Sequence, residues 1–201
     1  MVEEQRSATT ARAAYRMIKR AQQVDETRRR IVAATVGLHG TVGPANTTVS
    51  AIAEVAGVTR VTVYRHFPDE DALFVACTSH WAAQQRMPDL AGWREIPAPE
   101  DRARAALTDL YRFFCEAEPM LTRTTRDREA LPDFVLERNQ QTTQTQIDAL
   151  LLAWPPRQRT KKRRAVVGHA MTFATWRSLC VDQALPQRDA VAAMTRLVVD
   201  C

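Results

Sequence analysis

Glycine is scarce in this chain, six in 201 residues and each isolated, and with alanine, arginine, leucine and glutamine abundant the composition favours helix over strand. Long apolar runs are missing as well. No stretch approaches the roughly 18 to 20 residues of a membrane span. Met1 to Gln23 is polar and basic where a secretory signal would carry an apolar segment. No membrane association is therefore expected, and the expected location is cytoplasmic. The four cysteines, Cys77, Cys115, Cys180 and Cys201, lie far apart with no CxxC, which reads as reduced thiols of a cytosolic chain. Cys77 and His80 make a CxxH pair, two ligands where a zinc site needs three or four, so no metal is expected. HExxH, a P-loop, GxSxG and any grouped Cys/His/carboxylate set are all absent, which leaves a helical enzyme without support and no cofactor expected. Nothing alternates with period two for long enough to be a strand. Disorder is excluded too, because 45% of the residues are hydrophobic and 25% charged.

Charge is present but not concentrated. A net +5 permits a nucleic-acid partner without establishing one. Met1 to Val24 holds Arg6, Arg12, Arg16, Lys19 and Arg20 against Glu3 and Glu4, and the run Arg157 to Arg164 has six basic residues in eight. The segment between them is close to neutral.

Prolines and capping residues divide the chain. Residues 8–23 are helix-prone, with Arg12, Arg16, Lys19 and Arg20 on one face. A helix from Asp25 to His39 has acidic residues in its first turn and a stripe of Ile31, Ala34, Thr35 and Leu38; Gly40 and Gly43-Pro44 stop it. Thr48 caps a short helix, Val49 to Ala56, which Gly57 breaks; a second runs from about Arg60 to Phe67. Pro68 then opens a longer helix, Asp69 to about Arg86. A proline-rich loop, Met87 to Pro99, is followed by helices near 100–117, 119–129, 133–153, 160–182 and 187–200. The expected architecture is all-α: a basic extension (1–24), a three-helix reader (25–73) and a larger helical domain (74–201).

The reader meets the demands of two short helices crossing steeply through a tight turn. Ala53 is small where the second helix crosses the first. Gly57, four residues on, supplies positive φ for the turn. Ile52, Ala56, Val58 and Val63 close the small core. The alternative is an ordinary helical corner.

The residues also resemble a known family. Thr47-Thr48-Val49-x-x-Ile52-Ala53-x-x-Ala56-Gly57-Val58-Thr59, followed by Thr62-Val63-Tyr64-Arg65-His66-Phe67-Pro68, looks like the N-terminal helix-turn-helix domain of TetR-type transcriptional regulators. The resemblance covers near a quarter of the chain and says nothing of a ligand. It implies that Thr48 caps its helix and touches a phosphate. Thr59, Arg60, Val61 and Thr62 would open the recognition helix in the major groove, with Tyr64, Arg65 and His66 beside the DNA backbone and Phe67 in the core. The chemistry agrees: Arg60 is suited to a bidentate guanine contact, Val61 and Thr62 to a thymine methyl, and the hydroxyls to phosphates. A packing role is the alternative for Tyr64. Two positions depart from the family pattern. Glu70 stands where a lysine usually meets the DNA backbone, and His39 replaces a usual core phenylalanine, which is expected to loosen the domain.

The larger domain offers two further expectations. Helix 160–182 carries a small-residue stripe, Gly168, Thr172, Thr175 and Leu179, beside a bulky one, His169, Phe173, Trp176 and Cys180. Helix 187–200 offers Ala190, Ala193, Leu197 and Cys201, with Val191, Met194 and Val198 alongside, and the resemblance implies that these two helices from each of two chains make a four-helix homodimer interface, the alternative being intrachain core. Tyr111, Phe114, Met120, Phe134, Met171, Phe173 and Trp176 are candidates to line a pocket for an apolar small-molecule effector, and plain core is the alternative for each. The polar run Asn139 to Gln146 reads as a solvated face. The functional expectation is a dimeric repressor bound to a double-stranded DNA operator and released by a small ligand. The alternatives are a regulator without a ligand, or a helical protein-interaction module encouraged by Asp69-Glu70-Asp71.

Overall fold

The computed structural model describes residues 2–201, with side chains from Tyr15 onward, and those residues form two compact units that divide between residues 83 and 84. Every regular element among them is helical, and none of these helices is long and apolar enough to cross a membrane.

The first unit begins with α1, Val2–Thr41, a single helix of 40 residues. Two segments with a helix start at Asp25 were expected, and the structure joins them. No glycine or proline interrupts Arg16 to Val36, so each N–H finds its carbonyl one turn back. Thr27 hydrogen-bonds Gln23 O at 2.8 Å across the expected junction, and Asp25 is a mid-helix residue. The helix stops where foreseen. Gly43 adopts φ 94°, its N–H reaches back to Leu38 O at 3.2 Å, and Pro44 follows.

Helices α2 (Val49–Ala56) and α4 (Glu70–Ala83) pack beside the C-terminal half of α1, and α3 (Arg60–His66) packs on α2. Asp69 is the cap of α4, its carboxylate accepting Ala72 N–H at 2.7 Å. Pro68 therefore lies just outside that helix instead of in its first turn. Ile31, Ala34, Ile52, Ala53, Ala56, Val63, Phe67, Leu73 and Cys77 form one buried core. His39 joins it, with its ring 5.0 Å from that of Phe74 and Nδ1 3.9 Å from Cys77 Sγ.

The second unit contains α5 (Leu90–Glu95), α6 (Pro99–Glu116), α7 (Glu118–Arg126), α8 (Asp133–Leu151), α9 (Lys161–Ala170), α10 (Phe173–Arg177) and α11 (Gln187–Val199). The central element is α6, which packs against α5, α7, α8, α10 and α11. Arg102, buried on α6, donates to Ile96 O, Arg94 O and Ala149 O and so satisfies carbonyls from α5, the chain after it and α8. Helix α5 corrects the expectation of a loop over 87–99. Asp89 caps it through Gly92 N–H at 3.0 Å, and buried Trp93 anchors it, its indole N–H donating to Asp109 at 3.1 Å. Six residues between prolines are too few to show a helical period.

The expected helix 160–182 is also corrected. Chain 161–170 is α9, but Thr172 turns to extended φ −86°, ψ 148°, and restarts the chain as the cap of α10, its Oγ1 accepting Thr175 N–H at 3.2 Å. The same hydroxyl donates to His169 O, so a threonine that reads as helical filler acts as a cap. A π-type turn, Ser178–Asp182, follows α10. The small-residue stripe therefore does not continue along one face.

Candidate nucleic-acid interface

The reader is built by two threonine caps around one left-handed glycine. Thr48 Oγ1 accepts Ala51 N–H at 3.1 Å and starts α2. Gly57 takes φ 63°, ψ 41°, and Val58 N–H bonds Ala53 O at 2.9 Å, so α2 closes and the chain turns within three residues. Thr59 then caps α3: its Oγ1 accepts Thr62 N–H at 3.2 Å and lies 3.0 Å from the Thr62 hydroxyl.

The seven residues of α3 sort by burial. Val63 is only 2% exposed and holds the helix onto the core, while Val61 is 78% exposed and Tyr64 48%. Thr59, Arg60, Val61, Tyr64 and Arg65 thus form an outward row, with Thr62 half-buried beside it and Thr48 exposed at the start of α2. An exposed valine next to an exposed arginine serves no core. On a helix held by one buried residue, that row is the surface available to a partner. His66 is set apart from it. Its Nε2 is buried without a hydrogen-bond partner, and burial, with Arg65 and Arg28 nearby, lowers its pKa. A neutral, inward imidazole is no cation for a phosphate.

Arg28 was missed in the sequence. It lies 38 residues from His66, yet its guanidinium donates to His66 O at 3.1 Å and stacks 4.2 Å from the centre of the Phe67 ring. A cation there also complements the carbonyl end of α3. Arg28 thus holds the end of α3 in place, and no local periodicity announces a contact so distant in sequence. Glu70 and Asp71 are exposed in the first turn of α4, where acids suit a helix start.

The geometry is that of a helix-turn-helix, and the model of bacterial regulatory proteins of the tetR family matches residues 31–77. Residues 31–77 are thus similar to the N-terminal DNA-binding domain of that family. A TetR-family transcriptional regulator from Streptomyces coelicolor is similar in structure, with TM-score 0.59 and 19% identity over 88% of this chain and 78% of that one. A TetR transcriptional regulator from Rhodococcus sp. RHA1 has TM-score 0.50 and 18% identity, over 87% and 94%. Among curated proteins, none matches the chain. The chain accordingly joins a tetR-type helix-turn-helix unit to an all-helical second unit.

In that second unit four of the seven expected pocket residues come together. Phe114 meets Tyr111, Phe173 and Trp176 with ring centres 6.2, 5.7 and 6.2 Å apart, and Phe173 stacks on Trp176 at 5.3 Å. Met171 is buried between α9 and α10, whereas Met120 and Phe134 are half-buried on α7 and α8. The Tyr111 hydroxyl donates to Ala170 O at 2.9 Å, but the buried Trp176 indole N–H has no partner. The polar run 139–146 is mostly exposed. Arg163, from the basic run 157–164, is instead buried and donates to Gln158 O at 2.9 Å.

The residues expected at a dimer interface divide. A Cβ on Gly168 would lie 3.4 Å from Ile147 Cδ1 of α8, so this glycine admits a helix of its own chain. Thr175 is buried, with its hydroxyl on His169 O at 2.6 Å, and Ala190, Val191 and Val198 are buried too. Ala193 and Leu197 are exposed, as is Ala174, which lies outside the expected stripes, and a groove of about 270 Å³ lies among His169, Ala174, Leu179 and Met194.

Proposed function

We propose that this chain is a dimeric repressor acting on chromosomal DNA in the cytoplasm, released from its operator by a small, largely apolar molecule. The observation that carries the reading is the outward row Thr59, Arg60, Val61, Tyr64 and Arg65 on a helix fixed by Val63 beneath and Arg28 at its end. Arg60 reads a base edge bidentately, Val61 meets a thymine methyl, and Thr48 and Tyr64 donate to phosphates. Two such readers, one helical turn of duplex apart, hold a near-palindromic site.

The exposed residues of α10 and α11, Ala174, Ala193 and Leu197, with Leu179 and Met194 in the groove beside them, form the dimer face in this reading. The effector enters beside the Phe114, Phe173 and Trp176 rings, where the unpartnered indole N–H supplies one donor to an otherwise apolar molecule. Selection of preferred duplexes from a random pool, followed by binding at increasing salt, tests the DNA reading. A palindromic preference and a steep fall of affinity with salt are expected. Weak, salt-insensitive binding without a preferred sequence refutes it.

A further inference from the structure

The described side chains of the extension, from Tyr15 on, are exposed rather than packed on the first unit, although they share one rod with it. Residues 15–26 of α1 are exposed throughout, and the helix runs unbroken from them into the buried residues Ile31, Ala34 and Thr35. Steps of three and four along a helix stay on one face. The row Arg16, Arg20, Gln23, Thr27, Ile31, Ala34, Leu38 follows such steps, and Lys19 adjoins it. Its lower members, Ile31, Ala34 and Leu38, pack in the reader's core. Its upper members are basic and bare, and none of Arg16, Lys19 and Arg20 has an acidic residue within the described row. The side of α1 that holds the reader is thus the side that carries the cations farther out. Arg12 continues the row by spacing but lies outside the described side chains.

Distance fixes what these cations reach. Arg28 grips the end of the recognition helix, and Arg16 lies 12 residues up the same rod, about 18 Å at 1.5 Å per residue. Lys19 and Arg20 lie about 12 to 14 Å away by the same rise. Duplex DNA carries one phosphate charge per ~1.7 Å of axis, so a rod of this length beside a groove-bound reader meets the backbone up to about five base pairs from it.

We propose that Arg16, Lys19 and Arg20 form a second, sequence-independent contact with the phosphates flanking each half-site, which supplies the backbone grip that Glu70 does not. The inference rests on the DNA-binding reading above. The segment is held in place by helix continuity rather than by packing, so its contacts form only on the duplex. Tyr15 and Ile18, on the other side of the helix, are exposed as well, which makes an anionic lipid surface the competing occupant. The lysine and arginine row points to DNA because its face is the reader's face.

The test is a variant of the full chain with Arg16→Gln, Lys19→Gln and Arg20→Gln, compared with a control that removes three exposed cations from the second unit, Arg157→Gln, Lys161→Gln and Lys162→Gln. Glutamine keeps helix propensity, and circular dichroism confirms that helicity is unchanged. Binding to the selected duplex is measured from 50 to 200 mM salt. Each lost phosphate contact lowers the slope of log K against log salt by about 0.9. Over that fourfold salt range the wild type should weaken about 40-fold more than the extension variant if all three contacts are lost. The preferred sequence should stay the same, and the control slope should stay near wild type. An unchanged slope in the extension variant overturns the proposal. So do equal losses in both variants, which would indicate diffuse charge. Binding of the wild type to phosphatidylglycerol vesicles, lost in the extension variant while its DNA slope holds, overturns it in favour of a lipid surface. A wild type that binds no duplex overturns both this inference and the DNA-binding reading.

Discussion

His39 places an acid-sensitive group in the reader's core, and His39→Phe should remove that sensitivity. Burial lowers the His39 imidazole from its ordinary 6.5 to about 4, with the ring packed against Phe74 and only the Cys77 sulfur near Nδ1. The folded state therefore holds the neutral ring, while the unfolded chain takes up a proton once the pH drops below about 6.5. Between those two values the unfolded state binds more protons, so stability falls with pH and the loss levels off below the folded value. A shift of this size corresponds to about 3 kcal/mol in full, about 1.4 kcal/mol by pH 5.5, and almost nothing at pH 7.5. Phenylalanine fits the same apolar surroundings and does not titrate. Urea unfolding of both proteins, followed through the helical signal at half-unit steps from pH 7.5 to 4.5, should give a stability gap that widens steadily in favour of the variant below pH 6.5. His66 contributes equally to both proteins and cancels. A gap that stays constant over that range would show that the buried ring is protonated or solvated, and the argument would fail.

The remaining predictions concern the reader and the second unit. Arg60→Ala should weaken specific binding by about 1–3 kcal/mol and relax preference at one base of each half-site, measured over single-base operator variants; a uniform loss would make Arg60 a phosphate contact. Gly57→Ala should lower the reader's stability by about 1 kcal/mol through its left-handed backbone alone, since no atom lies within 4 Å of the new methyl group, and Gly57→Asn should cost less. Gly168→Leu should lower the melting temperature by overpacking against Ile147, about 1–3 kcal/mol, with no change in sedimentation coefficient for the folded protein. Leu197→Arg, on the exposed face of α11, should instead leave the fold intact and yield a monomer that fails on a two-half-site operator; a normal dimer would move the interface elsewhere.

The reader was legible because its constraints are local. Thr48, Gly57 and Thr59 each satisfy a requirement set within four residues, a cap or a positive φ, and Ile52, Ala53 and Val63 pack across a turn only a few residues long. Hydrophobic spacing and prolines likewise placed α6, α8 and α11. What local patterning did not show lay in choices between local alternatives or in contacts between distant residues. Thr172 is compatible with a helix interior and with a cap, and the cap is the one that hydrogen-bonds both the end of α9 and the start of α10. The joining of residues 8–23 to the helix of the reader needed only the absence of a breaker, which acidic residues at Asp25 disguised. Arg28 on His66 and Phe67, the buried ring of His39, and Gly168 against Ile147 are contacts that form only after helices have packed. By itself the sequence determined an all-helical chain and the position of its helix-turn-helix, because caps, turns and helical period act within a few residues. Tertiary structure alone decided which small and aromatic residues are core and which remain exposed, because burial depends on the neighbour each helix finally meets.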